Sequence, residues 1–116
     1  MVFLVLVLSL AAIGCDVCSD RVVREVKSPD NVLTATWYVK NCGATTDFST
    51  VVSLHKAGSS FKDDSDIVFV AKGRGELRLA WNNSHQLSIQ CVACQRTDVF
   101  KEVTKFADID IAFGSE

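Results

Sequence analysis

Along most of the chain, hydrophobic and polar residues alternate with the period of two of a half-buried strand, not the 3.6 of a helix. Leu33, Ala35, Trp37 and Val39 alternate with Thr34 and Thr36, and Leu77, Leu79 and Trp81 with Arg78. Leu87 and Ile89 alternate with Ser88 and Gln90, and Ile109, Ile111 and Phe113 with Asp108 and Asp110. Strands are therefore expected over 32–39, 77–81, 87–90 and 109–113, and the shorter apolar runs Val51 to Leu54 and Ile67 to Ala71 add two more. Ser28-Pro29-Asp30-Asn31 and Asn82-Asn83-Ser84 carry residues that tolerate chain reversal, and the glycines of Lys72-Gly73-Arg74-Gly75 suit a hairpin.

Helical spacing is confined to 16–26 and 98–106, where Val99, Val103 and Phe106 fall at i, i+4 and i+7. Either segment suits one short helix, and Val99 to Val103 reads equally as a seventh strand. Residues 15–116 contain 13 Val, 4 Ile and 7 Thr against 5 Leu and 8 Ala, which favours strands. The expected fold is mainly β, a single small antiparallel sheet or meander of about six or seven strands with room for one short helix. Ala57 to Asp66, rich in Gly, Ser, Lys and Asp, reads as a loop.

The first fourteen residues break this pattern, with twelve apolar residues and no charged side chain. That run is shorter than the ~20 residues that span a bilayer as a helix, and it matches the hydrophobic stretch of a secretory signal. Ala12-Ile13-Gly14-Cys15 then sets small residues three and one before a cysteine, which resembles a bacterial lipoprotein signal. In such signals the cysteine thiol forms the thioether that carries the lipid, so Cys15 is the expected lipidation site. The expected division is a signal peptide over 1–14, a tether and first short element over 15–27, a β domain over 28–113 and a tail over 114–116.

A chain of 116 residues with 12 basic and 14 acidic side chains is one small domain with no surplus of positive charge. Nucleic acid is therefore not an expected partner. With Cys15 acylated, Cys18, Cys42, Cys91 and Cys94 remain as an even set of disulfide candidates, with three possible connectivities. A zinc ribbon sets its second Cys pair roughly fifteen to twenty residues on. Here 72 residues separate Cys18 from Cys91, so no metal or other cofactor is expected. A thiol oxidoreductase or a metal-binding protein using Cys91 and Cys94 is the alternative, although Cys91 follows an expected strand where a reactive thiol favours a helix N-terminus.

His55 and His85 read as surface histidines with no pattern that pairs either with a nucleophile. Lys62-Asp63-Asp64-Ser65-Asp66 lacks the glycine and distal glutamate of a calcium loop and reads as a solvated acidic loop. The distinctive stretch is 41–50, where Thr45, Thr46, Asp47, Phe48, Ser49 and Thr50 crowd a connection between strands. These six are the candidate ligand or partner loop, set against a structural role in which hydroxyls satisfy turn backbone and Phe48 plugs the core.

Ser28-Pro29-Asp30, Cys42-Gly43-Ala44-Thr45-Thr46, Phe48-Ser49-Thr50, Val68-Phe69, Trp81, Leu87-Ser88-Ile89 and Ile109-Asp110-Ile111 together resemble a family of small bacterial envelope lipoproteins of unknown function with a Cys-Gly-Ala-Thr-Thr core motif. The resemblance covers roughly 15–113 and implies a location at the cell envelope, lipid-anchored and facing the periplasm or exterior. It transfers no catalytic residue. The expected function is thus a non-enzymatic binding or structural envelope module, attached to a membrane by its N-terminal lipid, with a small ligand or protein as partner. A secreted inhibitor or adaptor presenting the 41–50 loop is the remaining alternative.

Overall fold

The computed structural model describes residues 18–43, 48–61 and 65–115. Cys15 and the expected leader over 1–14 lie outside these residues, as do Thr45, Thr46 and Asp47. The described chain is mainly β, with strands β1 (Ser19–Lys27), β2 (Leu33–Asn41), β3 (Ser49–Lys56), β4 (Ser65–Lys72), β5 (Glu76–Asn83), β6 (Gln86–Val92), β7 (Val99–Glu102), β8 (Lys105–Phe106) and β9 (Ile109–Ser115). Five of them form one sheet in the order β1-β2-β3-β4-β7, and four form a second in the order β5-β6-β9-β8.

Four features depart from a simple meander. The 16–26 segment, with its helical spacing, overlaps the edge strand β1, in which the β-branched Val22 and Val26 pair with β2 and Val23 sits in a bulge between Val22 and Arg24. The 98–106 segment forms β7 and β8 after a single 3₁₀ turn at Arg96–Asp98. The glycine pair at 73–75 does not close a hairpin, because β4 and β5 belong to different sheets. Gly73, at φ 86°, instead turns the chain from one layer into the other. The pairing of β6 with β9 is parallel, since β7 and β8 intervene between them.

Both expected reversals are present. In the β1–β2 turn the Asp30 carboxylate accepts the Ser28 hydroxyl (2.7 Å) and the Val32 amide (3.2 Å), and Asn31 takes the left-handed conformation. β5 and β6 pair across the short connection of Ser84 and His85.

The sheets stack through one core built from Ala35, Val52, Leu54, Val68 and Phe69 on the first and Leu77, Leu79, Leu87, Ile89, Ile109 and Ile111 on the second. The bulge opposite Val52 lets consecutive Val68 and Phe69 both be buried. Phe69 stacks on Phe113 across the layers at 5.8 Å. Removing side chains such as Leu87 and Ile89 from water contributes about 1.5–3 kcal/mol each. Near the opposite edge, Trp81 of β5 donates its indole N–H to the carbonyl of Val26 in β1 at 3.0 Å, tying the layers together there.

Candidate functional site

Because five strands face four, β1 and β2 are not covered along their whole length. Layer-to-layer contact is made at Val26 and Trp81. Toward the other end of β1 the sheets leave a cleft of about 520 Å³, in the size range of small-molecule sites. Alternation on β1 and β2 places Ser19 and Arg21 opposite Asn41 and Val39 on the face that meets the second sheet, with Trp37 next along β2 and Val23 in the bulge of β1. Val22 and Phe48 complete the walls, and Arg74 and Gly75 reach over from the crossing between layers.

The electrostatics of the cleft are one-sided. Among the described residues its lining includes two guanidinium groups and no carboxylate, in a chain whose net charge is −2. Among the described residues neither Arg21 nor Arg74 forms an ion pair. Arg74 lies 4.1 Å above the centroid of Phe48, a cation–π seat that leaves its in-plane N–H groups for an anion. Val22 and Val23 are 44% and 48% exposed, and they give the cleft an apolar flank open to water.

Thr50 accounts for the position of Arg74. Its wholly buried hydroxyl donates to the carbonyl of Gly73 (2.6 Å) and accepts the amide of Gly75 (2.9 Å), clamping both neighbours of the arginine. Within the candidate 41–50 loop, then, Phe48 lines the cleft and Thr50 supports it. Ser49 pairs with Lys40 and Lys72 on the opposite face of the sheet. No sequence signal marks Arg21, Trp37 or Arg74 as site residues. Isolated arginines and a strand tryptophan carry no motif, and only the stacking of β1 over the layer crossing brings them together.

The four cysteine candidates form two disulfides, Cys18–Cys42 and Cys91–Cys94. The first ties the start of β1 to the residue after β2, beside Ser19 and Asn41 at the cleft. Cys91 is buried, and Cys94 borders a 260 Å³ cavity with Phe69, Phe113 and the Arg96–Glu102 ion pair. Contact with Glu102 holds the Arg96 guanidinium above its ordinary pKa. A bridged and mostly buried pair of this kind staples a turn. Among the described residues no group of three or more His, Cys, Asp or Glu side chains is arranged to hold a metal ion.

His55 is not a surface residue. β3 is the middle strand of its sheet and is buried on both faces, so His55 is 5% exposed beside Thr34, Thr36 and Ser53. Its Nε2 lies 2.8 Å from the Thr36 hydroxyl, which reaches Glu25 at 3.3 Å, and its Nδ1 lies 3.1 Å from the Lys56 carbonyl. Glu25, Lys27, Thr34, His55, Gly58 and Ser59 line a polar hollow of about 510 Å³ there. On the same face Tyr38 packs on Phe61 at 4.7 Å, and burial, aided by the charge of Asp20, raises its phenol pKa. His85 is exposed and meets Asp108 at 3.1 Å.

No family model matches the chain, and no curated protein and no solved structure is significantly similar to it.

Proposed function

We propose that this chain is an exported binding module of the bacterial envelope, held at a membrane by a lipid on Cys15, and that the cleft between its sheets receives a small anionic ligand. The observation that carries the reading is the presence of both Arg21 and Arg74 in a 520 Å³ cleft with, among the described residues, no acidic side chain in its lining. A charged group facing solvent without a partner is an ordinary surface feature. Two that converge on one concavity, one seated on Phe48 and its loop clamped by buried Thr50, form a preorganised receptor.

Export is supported by the two disulfides, which persist in oxidising compartments, and by the apolar run that ends at Ala12-Ile13-Gly14-Cys15. The resemblance to small envelope lipoproteins points the same way. Binding, without catalysis, is the activity proposed.

Two measurements test the reading. Non-reducing intact mass of the protein recovered from its native envelope is expected to show a chain beginning at Cys15 with added acyl mass and four hydrogens missing. An unacylated chain of any start overturns the anchor. Titration with 8-anilinonaphthalene-1-sulfonate, an anion with an apolar body, is expected to saturate at one site and to weaken at least tenfold in Arg74→Ala. Affinity unchanged in Arg74→Ala and Arg21→Ala overturns the cleft.

A further inference from the structure

We infer that the ligand is an amphiphilic carboxylate, a monoanionic head on an unbranched apolar chain. This rests on the cleft being the binding site. The head group follows from the geometry of the cations. A guanidinium offers a planar fork of N–H donors that matches the two oxygens of a carboxylate, and Arg74, with Phe48 beneath it, has that fork free. A phosphate is commonly cradled by converging backbone amides at a helix N-terminus or a nest. The described lining is strand side chains and one crossing whose Gly75 amide is already given to Thr50.

The apolar body follows from the opposite flank. Among the described residues Val22, Val23, Val32, Ile67 and Phe100 are the large hydrophobic side chains left exposed, and two of these five line this one cleft. With Val39, Trp37 and Phe48 they make up the apolar part of the lining beside the two arginines. Apolar surface of this kind, left open next to charges, is characteristic of a surface that a ligand covers. Each methylene transferred to such a surface raises affinity about fourfold, so three of them give roughly sixtyfold. The polar Ser19 and Asn41 mark the mouth beside the Cys18–Cys42 bridge.

The test is displacement of 8-anilinonaphthalene-1-sulfonate from the full chain by octanoate, acetate, octanol and octyl phosphate, with Lys101→Ala on the distant edge strand β7 as control. Octanoate is expected to displace the probe, acetate and octanol at least tenfold less well and octyl phosphate less well than octanoate. Arg21→Ala and Arg74→Ala are expected to weaken octanoate at least tenfold while leaving octanol unchanged, and Lys101→Ala to change neither. Octyl phosphate binding more tightly than octanoate overturns the carboxylate. Acetate matching octanoate overturns the apolar body. A probe that binds with Arg74 dependence but yields to none of the four overturns this ligand class and leaves the cleft standing, whereas a probe that does not bind overturns the cleft itself.

Discussion

The imidazole Nε2 of His55 lies 2.8 Å from the hydroxyl of Thr36, nineteen positions earlier in the chain, on the outer face of the five-stranded sheet. Thr36 is fully buried, and its hydroxyl, which also reaches Glu25 at 3.3 Å, is the side-chain partner of that ring nitrogen. Thr36→Val keeps the shape and removes that hydroxyl, leaving a buried ring nitrogen without its partner at a cost of about 1–3 kcal/mol. Urea unfolding of Thr36→Val and Thr36→Ser is expected to show the loss in the first and most of the stability kept in the second. Equal stability of both to the parent would mean that the pair contributes nothing.

The two disulfides are expected to differ in accessibility to reductant. Cys18 and Cys42 are exposed, whereas Cys91 is 3% exposed and sits in the core. Under native conditions a dithiol followed by alkylation is expected to label Cys18 and Cys42 first, with Cys91 and Cys94 labelled only as the domain unfolds. Their contributions to stability differ as well, because the first bridge spans 24 positions and the second spans 3. Chain entropy then assigns them about 3.5 and about 1.9 kcal/mol. Labelling in the reverse order would show that the Cys91–Cys94 turn opens locally.

What the sequence made legible follows from side-chain periodicity. β5, β6 and β9 each have one buried and one more exposed face, so their alternation is visible in residues such as Leu77-Arg78-Leu79, and β2 shows the same alternation in polarity although its Thr34 and Thr36 are buried. β3 is covered on both faces and its buried set includes Thr50, Ser53 and His55, so polarity there misreports burial. β1 was hidden for the opposite reason, since as an edge strand it exposes most of both faces, and its bulge at Val23 breaks the period. Phe48 and Thr50 were visible as members of an unusual loop. Arg21 and Arg74 were not, because their meeting depends on which layer follows Gly73.

Asp30 provides a pH test of the β1–β2 turn. Its carboxyl is held below its ordinary pKa first by the Ser28 hydroxyl and then by the Val32 amide. A carboxylate with a lowered folded-state pKa contributes stability above its unfolded value, and that contribution is lost as pH falls through the folded value. Asp30→Asn cannot carry the charge. The stability gap between parent and variant is expected to be open above about pH 4 and to close below it. A gap independent of pH in chemical denaturation between about pH 2 and 6 would show that charge is not what the turn uses.

Arg74 is flanked by two glycines that have different reasons for being there. Gly73 has φ 86°, a left-handed conformation that costs other L-residues about 1–2 kcal/mol, and nothing within 4 Å would obstruct a Cβ. Gly75 is not in that region, and a Cβ there would meet Cys91 Sγ at 3.5 Å, Cys94 Sγ at 3.8 Å and Thr50 Oγ1 at 3.9 Å, ordinary contact distances. Gly73→Ala is therefore expected to lose about 1–2 kcal/mol in urea unfolding, and Gly75→Ala to stay within about 0.5 kcal/mol of the parent. The strain at position 73 falls on the carbonyl that accepts the Thr50 hydroxyl, the contact that fixes the loop bearing Arg74. Gly73→Ala is accordingly expected to weaken anion binding at least threefold even where the domain is fully folded, as read by probe titration well below the unfolding midpoint. If both variants bind as the parent does, the clamp by Thr50 is not what holds Arg74 over Phe48, and the preorganisation of the cleft must come from the aromatic seat alone.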